Sequence, residues 1–277
     1  METKVYEKLF ICPVCGKRLE LHQTRVACEM GHSFDRSRKG YYNLLCGRGG
    51  GVHGDNRDMV LARRAFLSYG YYSPLSRLVQ SLVLRYTDAD SSVIDLGCGE
   101  GYYTSAIEQS LSLRDGKSSV YAFDISREAV CEVYKKNKNI HLAVFGSYHM
   151  PIMDNSVDTA VNMFSPLALS ETQRILKVGG IFIMAIPAEE HLYEMKQVLY
   201  TTPYKNKPED STLSGFELLE DVPLKYSMSL DTSERIESLF MMTPYAYRTS
   251  PESRERLLAL TSLDCTAHFR VFVYKKV

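Results

Sequence analysis

The sequence predicts an α/β protein in which a doubly wound, Rossmann-like parallel sheet follows a small metal-binding module. Three observations predict this class. Short apolar runs alternate with helix-like segments between residues 92 and 199, which is the pattern of a parallel sheet covered by helices. The first apolar run ends in Gly97, Gly99 and Gly101, the tight strand-to-helix turn of such folds. Cysteine and histidine cluster at metal-ligand spacing within the first 32 residues.

Composition limits the size and the environment of the protein. The chain has 277 residues, of which 45% are hydrophobic, and this suits one domain of ordinary size with a small accessory module. No apolar stretch is long enough to cross a membrane, and the N-terminus lacks the apolar core of a signal peptide. We therefore expect a cytoplasmic protein without a membrane partner. Its seven cysteines then favour metal binding or burial over disulfide bonds.

The first element is a zinc module over residues 1–46. Cys12, Cys15, Cys28 and His32 follow the pattern C-x2-C-x12-C-x3-H, in which a short hairpin separates two pairs of ligands. Four such ligands fill a tetrahedral Zn²⁺ site, so we predict a structural rather than a catalytic zinc ion, with four unliganded side chains as the alternative. We expect the core of this module to be separate from that of the following domain. Four further cysteines have no partner at ligand spacing and are interpreted as ordinary small residues: Cys46, Cys98, Cys131 and Cys265.

A glycine-rich and basic linker is predicted over residues 47–72. It begins with a glycine-rich stretch and continues into a segment whose apolar positions recur at helical spacing from Met59. The net charge of the chain is zero, but residues 1–72 hold 12 Lys/Arg against 7 Asp/Glu, and the basic excess is densest between Arg36 and Arg64. That patch could meet a phosphate backbone, although charge alone fits a solvated surface equally well.

Residues 73–277 are predicted to form one α/β domain that opens with a helix after Pro74. Its alternating elements are strand Ser92–Leu96, helix Tyr102–Leu111, strand Ser119–Asp124, helix Glu128–Asn137, strand Ile140–Phe145, strand Val157–Phe164, helix Leu167–Leu176, strand Gly180–Ile186 and helix His191–Leu199. Thr201–Ser214 is polar, contains two prolines and is predicted to be a mobile loop. Ala267–Tyr274 alternates weakly and is predicted to be an antiparallel edge strand.

The turn after the first strand predicts the ligand of this domain. Asp95 is followed by Gly97, Gly99 and Gly101, so the backbone is bare enough to approach a nucleotide-like ligand. A phosphate loop would end in Gly-Lys-Ser/Thr, which is absent, and a dinucleotide fingerprint would have its third glycine at Tyr102. Asp-x-Gly-x-Gly-x-Gly is instead typical of a pocket for S-adenosylmethionine (SAM), in which Asp95 orients the loop or a ligand amine. A glycine turn that serves topology alone is the alternative.

Later strand ends complete the predicted SAM pocket. Asp124 ends the second strand, where a carboxylate can accept hydrogen bonds from both ribose hydroxyls, or can serve only the start of the helix after Ser126. Many SAM enzymes have an acid at the position of Ser147, so here the Ser147 hydroxyl or a backbone carbonyl must bind the adenine amine. The fourth strand runs into Phe164-Ser165-Pro166, where catalytic groups of this fold commonly lie.

Further short motifs lie along the chain in a characteristic order. They are Gly31-His32-Ser33-Phe34-Asp35, Gly40-Tyr41-x-Asn43-Leu44, Ala62–Leu67 with Gly70-x-Tyr72, Pro187, His191-Leu192 and Met242-Thr243-Pro244. Arg174–Gly180 separately resembles the Leu-Lys-Pro-Gly-Gly turn of class I methyltransferases, with Val178 in place of the proline. Together with the cysteine knuckle and the glycine loop, the short motifs give an order of zinc ribbon, basic linker helix and SAM fold. In this the chain resembles the RlmA-type 23S ribosomal RNA (guanine-N1-)-methyltransferases over nearly all of its 277 residues.

The resemblance implies a class I SAM-dependent methyltransferase that methylates N1 of a guanine in a domain II hairpin of 23S rRNA, with SAM and a structural Zn²⁺ as cofactors. It implies that Tyr72, Gly99-Glu100, Asp124 and His191 line the cofactor pocket. It also implies a homodimer whose zinc modules flank an RNA cleft. Which of two neighbouring guanines is modified depends on the subfamily, and Phe164-Ser165-Pro166 is closer to the Gram-positive branch, which is linked to macrolide resistance.

Two sets of candidate site residues follow from the motifs, the charge pattern and the resemblance. The predicted SAM-binding set is Tyr72, Asp95, Gly97, Gly99, Glu100, Gly101, Tyr103, Asp124, Ser147 and His191. The predicted RNA-binding set is Arg36, Arg38, Lys39, Arg63 and Arg64. We expect the zinc module to take part in RNA recognition.

The sequence does not allow any residue to be assigned as the catalytic base. N1 of guanine has a proton at neutral pH, and this proton must leave when the methyl group is transferred. His149 and Asp158 are candidates, but a surface position explains His149 better, and a cap of the fourth strand explains Asp158 better. The target base must be unstacked against aromatic faces. Aromatic side chains near the right strand ends, each of which could also belong to the core, are Tyr102, Tyr103, Tyr148 and Phe164.

Three other functions stay open at this point. A small-molecule SAM-dependent methyltransferase would have the same cofactor half, but it would need neither the zinc module nor the basic segment Arg36–Arg64. A non-catalytic zinc-ribbon RNA-binding protein on a SAM fold would not need the intact glycine loop and Asp124, which indicate binding but not turnover. A dinucleotide oxidoreductase is disfavoured by Tyr102.

Overall fold

The computed structural model describes residues 5–45, 54–114, 116–208 and 210–277. Four short strands form an antiparallel N-terminal sheet in the order β1-β2-β3-β4. They are β1 Tyr6–Ile11, β2 Arg18–Leu21, β3 Arg25–Ala27 and β4 Ser33–Asp35. Cys12 and Cys15 follow β1, and Cys28 and His32 lie between β3 and β4, so the hairpins bring the two ligand pairs together.

A mixed eight-stranded sheet forms the centre of the remaining fold. Its strands are β5 Tyr41–Asn43, β6 Ser92–Leu96, β7 Ser119–Asp124, β8 His141–Val144, β9 Val157–Met163, β10 Leu176–Pro187, β11 Phe216–Leu230 and β12 Leu263–Lys276. They are ordered β11-β12-β10-β9-β6-β7-β8-β5. Strands β5 to β10 run parallel, and β12 and β11 pair antiparallel. The predicted fold class, a doubly wound sheet with an N-terminal zinc-ribbon module, is confirmed.

Helices of the described residues cover this sheet. They are α1 Arg57–Ser68, α2 Ser73–Tyr86, α3 Tyr102–Arg114, α4 Arg127–Lys136, α5 Leu169–Ile175, α6 Tyr193–Leu199, α7 Ser233–Met241 and α8 Pro251–Leu258, with a short 3-10 helix at Pro244–Tyr247. The Asn56 side chain caps α1 by accepting from Met59 N–H at 3.0 Å, and Ser126 caps α4 in the same way. Among the described residues, none of these helices has the length and apolar character needed to span a membrane.

The last strand differs from its prediction. β12 was expected at the edge of the sheet, but it lies between β10 and β11 and pairs with both. Its Val271, Phe272, Val273 and Tyr274 side chains are fully buried. The weak alternation of this segment is thus explained, because both faces of the strand are covered. The edge strand is β11, which the sequence analysis did not predict; nor did it predict α7 and α8.

The zinc ribbon shares its core with the large sheet. Phe10 is only 1% exposed, and its ring packs edge-on against Tyr121 at 5.5 Å and Phe145 at 6.0 Å between centroids. The backbone N–H of Ile11 donates to the Pro151 carbonyl at 2.9 Å. β5, which follows the ribbon, pairs with β8. The expectation of two separate cores is therefore wrong, because aromatic residues of the ribbon fill one face of the sheet.

The predicted division into residues 1–46, 47–72 and 73–277 stays a prediction. Residues 46–53, which include Cys46 and most of the glycine-rich stretch of the linker, lie outside the described residues. The predicted linker helix begins at Arg57 as α1, and α2 follows it after the short turn at Gly70.

Candidate active site and metal centre

The four predicted zinc ligands meet in one cluster. Their ligand atoms all lie within 4.8 Å of one another. The Sγ atoms of Cys15 and Cys28 are 3.6 Å apart, and His32 Nδ1 lies 3.6 Å from Cys12 Sγ and 3.4 Å from Cys28 Sγ. A tetrahedron with Zn–S of about 2.3 Å and Zn–N of about 2.0 Å has edges of roughly 3.8 and 3.5 Å. These residues therefore form a closed structural zinc site that has no position for a substrate.

The glycine loop between β6 and α3 is shaped by three different constraints. A Cβ on Gly97, whose φ is +81°, would overlap the Ser165 hydroxyl. A Cβ on Gly101 would lie 2.9 Å from a methyl group of Val133 behind the loop. A Cβ on Gly99 would have Arg63 Nη1, at 3.6 Å, as its nearest neighbour. Gly97 and Gly101 thus permit packing of the protein against itself, and Gly99 keeps the ligand side of the loop bare.

A cavity of about 680 Å³ opens at the carboxyl ends of β6 to β9, beside this loop. Ligands of doubly wound sheets bind at this edge. Eight residues of the predicted SAM-binding set line the cavity: Tyr72, Gly97, Gly99, Glu100, Tyr103, Asp124, Ser147 and His191. Asp95 and Gly101 do not line it.

Asp124 connects the loop to the cavity. Its Oδ2 accepts from the Gly99 backbone N–H at 2.9 Å, and its Oδ1 accepts from Ser126 N–H at 2.8 Å. Burial raises the pKa of this carboxyl group, while the two backbone hydrogen bonds oppose the rise. Each carboxylate oxygen keeps a free lone pair, so Asp124 can support the start of α4 and still accept hydrogen bonds from ligand hydroxyls.

Asp95 lies behind the loop. Its side chain accepts from the Thr104 hydroxyl at 2.5 Å, which joins the end of β6 to α3. Asp95 is 3% exposed, and its Oδ1 has no hydrogen-bond partner among the described residues. Burial raises the pKa of Asp95 to about 7. In this arrangement Asp95 fastens the loop and does not contact the cavity.

A buried Tyr72–His191 pair forms another part of the wall. The Tyr72 hydroxyl lies 3.3 Å from His191 Nε2, and the backbone N–H of His268 donates to His191 Nδ1 at 3.3 Å. Burial lowers the pKa of His191 to about 3, so this imidazole is neutral. Because Nδ1 accepts, Nε2 has the proton and donates to Tyr72. The Tyr72 hydroxyl is then free to donate into the cavity.

Glu100 ties the loop to α4. The side chain is 1% exposed and forms an ion pair with Lys136, whose pKa burial lowers to about 8. The glycine loop is therefore held from Asp95 on one side and from α4 on the other.

The five predicted RNA-binding cations do not share one surface. Arg63 lines the cofactor cavity and forms an ion pair with Asp55. Arg64, the next residue of α1, lines a separate groove with Arg38 and Lys39. Arg36 is exposed, and its Nε donates to the Gly40 carbonyl at 3.4 Å.

Neither candidate base lies in the cavity wall. Asp158 is at the start of β9, at the opposite end of the sheet, where it accepts from Ser92 N–H at 2.9 Å and pairs with Lys177 at 2.6 Å. His149 is exposed in the loop after β8. All four candidate aromatics, by contrast, line the cavity: Tyr102, Tyr103, Tyr148 and Phe164.

Sequence reasoning missed two segments of the cavity wall. Tyr204 and Asn206 come from the predicted loop, and Asn206 is fixed there by Lys196, which donates to its Oδ1 at 2.6 Å. Residues 242–245, after α7, form the other segment. The Thr243-Pro244 turn was visible in the sequence, but without α7 nothing indicated which end of the sheet it approaches.

The sheet order, the bare glycine loop, the carboxylate at the end of β7 and the cavity beside them fit SAM. Together with the Cys₃His cluster, they define the class of the protein. It is a SAM-dependent methyltransferase that has a structural zinc ribbon at its N-terminus.

Comparisons with known proteins give the family. A family model described as "RlmA, N-terminal" matches residues 10–47, and one described as "Methyltransferase domain" matches residues 94–184. A protein of Micromonospora griseorubida named "Putative 23S rRNA (guanine-N(1)-)-methyltransferase" is 30% identical over 96% of this chain and 97% of its own length. The chain belongs to this family, the RlmA-type 23S rRNA (guanine-N1-)-methyltransferases.

Two further relatives have similar coverage. The "23S rRNA (guanine(748)-N(1))-methyltransferase" of Streptomyces fradiae is 28% identical over 90% of this chain and 89% of its own length. The Bacillus subtilis protein named "Putative 23S rRNA (guanine-N(1)-)-methyltransferase YxjB" is 28% identical over the full length of both chains.

Proposed function

We propose that the protein methylates N1 of a guanine in a domain II hairpin of 23S rRNA, as a homodimer in the cytoplasm. The observation that supports this most strongly is a similarity that includes the zinc ribbon as well as the cofactor domain, over nearly the whole length of relatives named for this reaction. A methyltransferase for small molecules would not need the ribbon.

SAM supplies an activated methyl group, and the protein positions it. We propose that the Asp124 carboxylate accepts from the ribose hydroxyls and that the Ser147 side chain or the adjacent backbone contacts the adenine. The Tyr72 hydroxyl, which His191 holds as a donor toward the cavity, hydrogen-bonds to an acceptor on the ligand. The glycine loop keeps this half of the cavity free of side chains. Catalysis then depends on holding N1 in line with the methyl group.

The N1 proton leaves to water in this proposal. The carboxylate and imidazole groups of the described cavity wall already have partners in the protein: Asp55 with Arg63, Asp124 with two backbone N–H groups, Glu100 with Lys136, and His191 at both ring nitrogens. As the N1–methyl bond forms and the bond from methyl to sulfur breaks, the proton becomes acidic enough for solvent to accept it. A dedicated base is therefore not required.

Phe164 is the proposed stacking surface for the target base. It is 41% exposed in the cavity wall, and its φ of +63° is uncommon for an aromatic residue. Strained backbone of this kind is retained where it positions a functional side chain. Its ring is supported edge-on by Tyr103, at 6.3 Å between centroids, and by the tilted ring of Phe269 at 5.6 Å.

The stacking role predicts a kinetic effect. Stacking of one base is worth about 1–3 kcal/mol, so Phe164→Ala should lower kcat/KM for rRNA by roughly 5- to 150-fold and leave SAM affinity unchanged. Tyr247→Ala is the matched control, because Tyr247 is exposed but does not line the cavity. Equal values of kcat/KM for the two variants would contradict a stacking role for Phe164.

The function itself is tested with labelled SAM. The purified protein is incubated with 23S rRNA from cells that lack this modification and, separately, with a pool of small metabolites. We expect label only in the rRNA, and none with Asp124→Ala. Label in the metabolite pool alone, or in neither, would contradict the proposal.

Analytical ultracentrifugation tests the homodimer: a single species at monomer mass at micromolar concentration would exclude it.

A further inference from the structure

We infer that a groove formed jointly by the zinc module, α1 and α4 holds the phosphate backbone of the rRNA substrate. The groove encloses about 750 Å³ and is distinct from the cofactor cavity. This inference rests on the proposed function and specifies where the RNA is bound. Six cationic side chains line it: Arg38, Lys39, Arg57, Arg64, Arg127 and Lys135. We call this surface the basic groove.

Most of the charge in the basic groove is not neutralised by the protein. The side chains of Arg38, Lys39 and Arg57 are exposed and form no ion pair with any described residue. Arg127 lies 3.6 Å from the partly exposed Glu128, a contact that contributes little in water. Two further cations, Arg64 and Lys135, share the single carboxylate of Glu132. The groove thus has six positive and two negative side chains, and a polyanion would complement it.

Two of the groove arginines, Arg57 and Arg127, contribute little to local stability. Arg57 is the first residue of α1, and Arg127 is the first residue of α4. A cation at a helix N-terminus is disfavoured by the helix dipole. Their positions are therefore better explained by a ligand than by folding.

The basic groove is held in shape by a close contact between the modules. Gly40 has a φ of +74°, and a Cβ at this position would overlap the Tyr134 ring on α4. The turn before it is closed by Gly40 N–H donating to the Ser37 carbonyl at 2.8 Å. β5 then pairs with β8. The backbone of Arg38 and Lys39 is consequently held opposite α4 before any ligand binds, which lowers the entropic cost of binding.

The groove lies next to the cofactor cavity. Consecutive residues of α1 face the two sites, since Arg63 lines the cavity and Arg64 lines the groove. α4 also connects them, because Lys136 pairs with Glu100 of the glycine loop and Lys135 lines the groove. A chain of phosphates held in the groove would therefore pass close to the cavity in which a base is methylated. This continuity favours an RNA strand over an acidic protein as the occupant.

The test removes the two arginines that have the least structural role. Arg57→Ala/Arg127→Ala is compared with Arg254→Ala/Lys275→Ala, a pair of exposed cations on α8 and β12 that does not line the groove. Affinity for an in vitro transcript of 23S rRNA domain II is measured by fluorescence anisotropy at several salt concentrations. Each lost phosphate contact reduces the slope of log Kd against log salt by roughly 0.7–0.9.

We expect the groove variant to lose about 1.5 units of salt slope and to bind the transcript roughly tenfold more weakly. Its SAM affinity should equal that of the wild type and its Tm should not fall, and the control pair and Arg57→Lys/Arg127→Lys should bind normally. The inference would be overturned if the groove variant bound the transcript with unchanged affinity, or if the control pair lost as much affinity as the groove variant. It would also be overturned if the wild type bound poly-glutamate as tightly as RNA. If the groove variant binds normally while the wild type methylates rRNA, the groove assignment fails and the proposed function stands. If the wild type neither binds nor methylates the transcript, both fail.

Discussion

Phe10 offers the sharpest test of whether the zinc ribbon and the catalytic domain fold as one unit. This side chain belongs to the ribbon, yet it is buried against Tyr121 and Phe145 of the large sheet. Replacing a buried phenylalanine by alanine costs about 3–5 kcal/mol, because it removes apolar contacts and leaves a cavity. For a chain of this size, roughly 2–4 °C of Tm is lost per kcal/mol. We therefore expect Phe10→Ala to lower the Tm of the whole protein by about 6–20 °C.

Phe10→Ala should also lower the affinity for SAM. The Phe145 ring stacks on Phe123 at 4.1 Å, and both residues line the SAM cavity. Calorimetry of the zinc-loaded protein measures the transition, and isothermal titration measures SAM affinity, which should fall as well. Val14→Ala is the matched control, because Val14 lies in the same ribbon but is 56% exposed. It should change the stability by no more than about 0.5 kcal/mol.

A different calorimetric pattern would refute this reasoning. If two transitions are resolved, and Phe10→Ala lowers only the smaller one while SAM affinity stays at the wild-type value, then the ribbon and the sheet have separate cores. That outcome would restore the expectation drawn from the sequence.

Further predictions concern the metal and the glycine loop. The protein should contain about one zinc ion per chain, and Cys28→Ser should lose it; metal analysis that finds no zinc in chelator-free wild type would contradict the site. Gly99→Val should abolish SAM binding without unfolding the domain, although valine at a φ of +53° adds backbone strain, and Gly97→Ala should lower Tm because its Cβ would overlap Ser165. Wild-type SAM affinity of Gly99→Val, or a wild-type Tm of Gly97→Ala, would contradict these roles. Because the pKa of Asp95 is raised to about 7, the folded state holds this proton more tightly than the unfolded chain, and stability falls as pH rises from about 4 to about 7. Asp95→Asn should reduce this fall in SAM-free thermal scans, and an unchanged pH profile would contradict it.

The sequence was most informative where an apolar run ends in an acidic residue or a glycine that marks the end of a strand. β6 and β7 were predicted to the residue, because Asp95-Leu96-Gly97 and Asp124 mark their ends. β12 was recognised as antiparallel but assigned to the wrong place in the sheet. Strand order depends on contacts between distant segments. β11, its edge neighbour, alternates between more buried and exposed positions over residues 220–230, a signal that the sequence analysis did not use.

The site was predicted less completely than the fold. The zinc ligands were evident because their spacing is local, and the same is true of the glycine loop. Arg63 and Arg64 are adjacent in sequence, and only the orientation of α1 separates a cavity residue from a groove residue. The sequence could not predict that Arg57 and Arg127 line the same groove as Arg38, because this depends on the close approach of Gly40 to Tyr134. Phe10 gave no indication that its partners lie more than a hundred residues away.

The identity of the methylated atom tests the central claim most directly. Nucleosides from 23S rRNA that has been treated with the protein and SAM can be separated and identified by mass spectrometry, and reverse transcription locates the modified residue because a methyl group at N1 blocks base pairing. We expect 1-methylguanosine as the new nucleoside, with a single stop within a domain II hairpin. A methyl group on another atom or another base, or rRNA without any new methylated nucleoside, would contradict the assignment of this chain as a guanine-N1 methyltransferase.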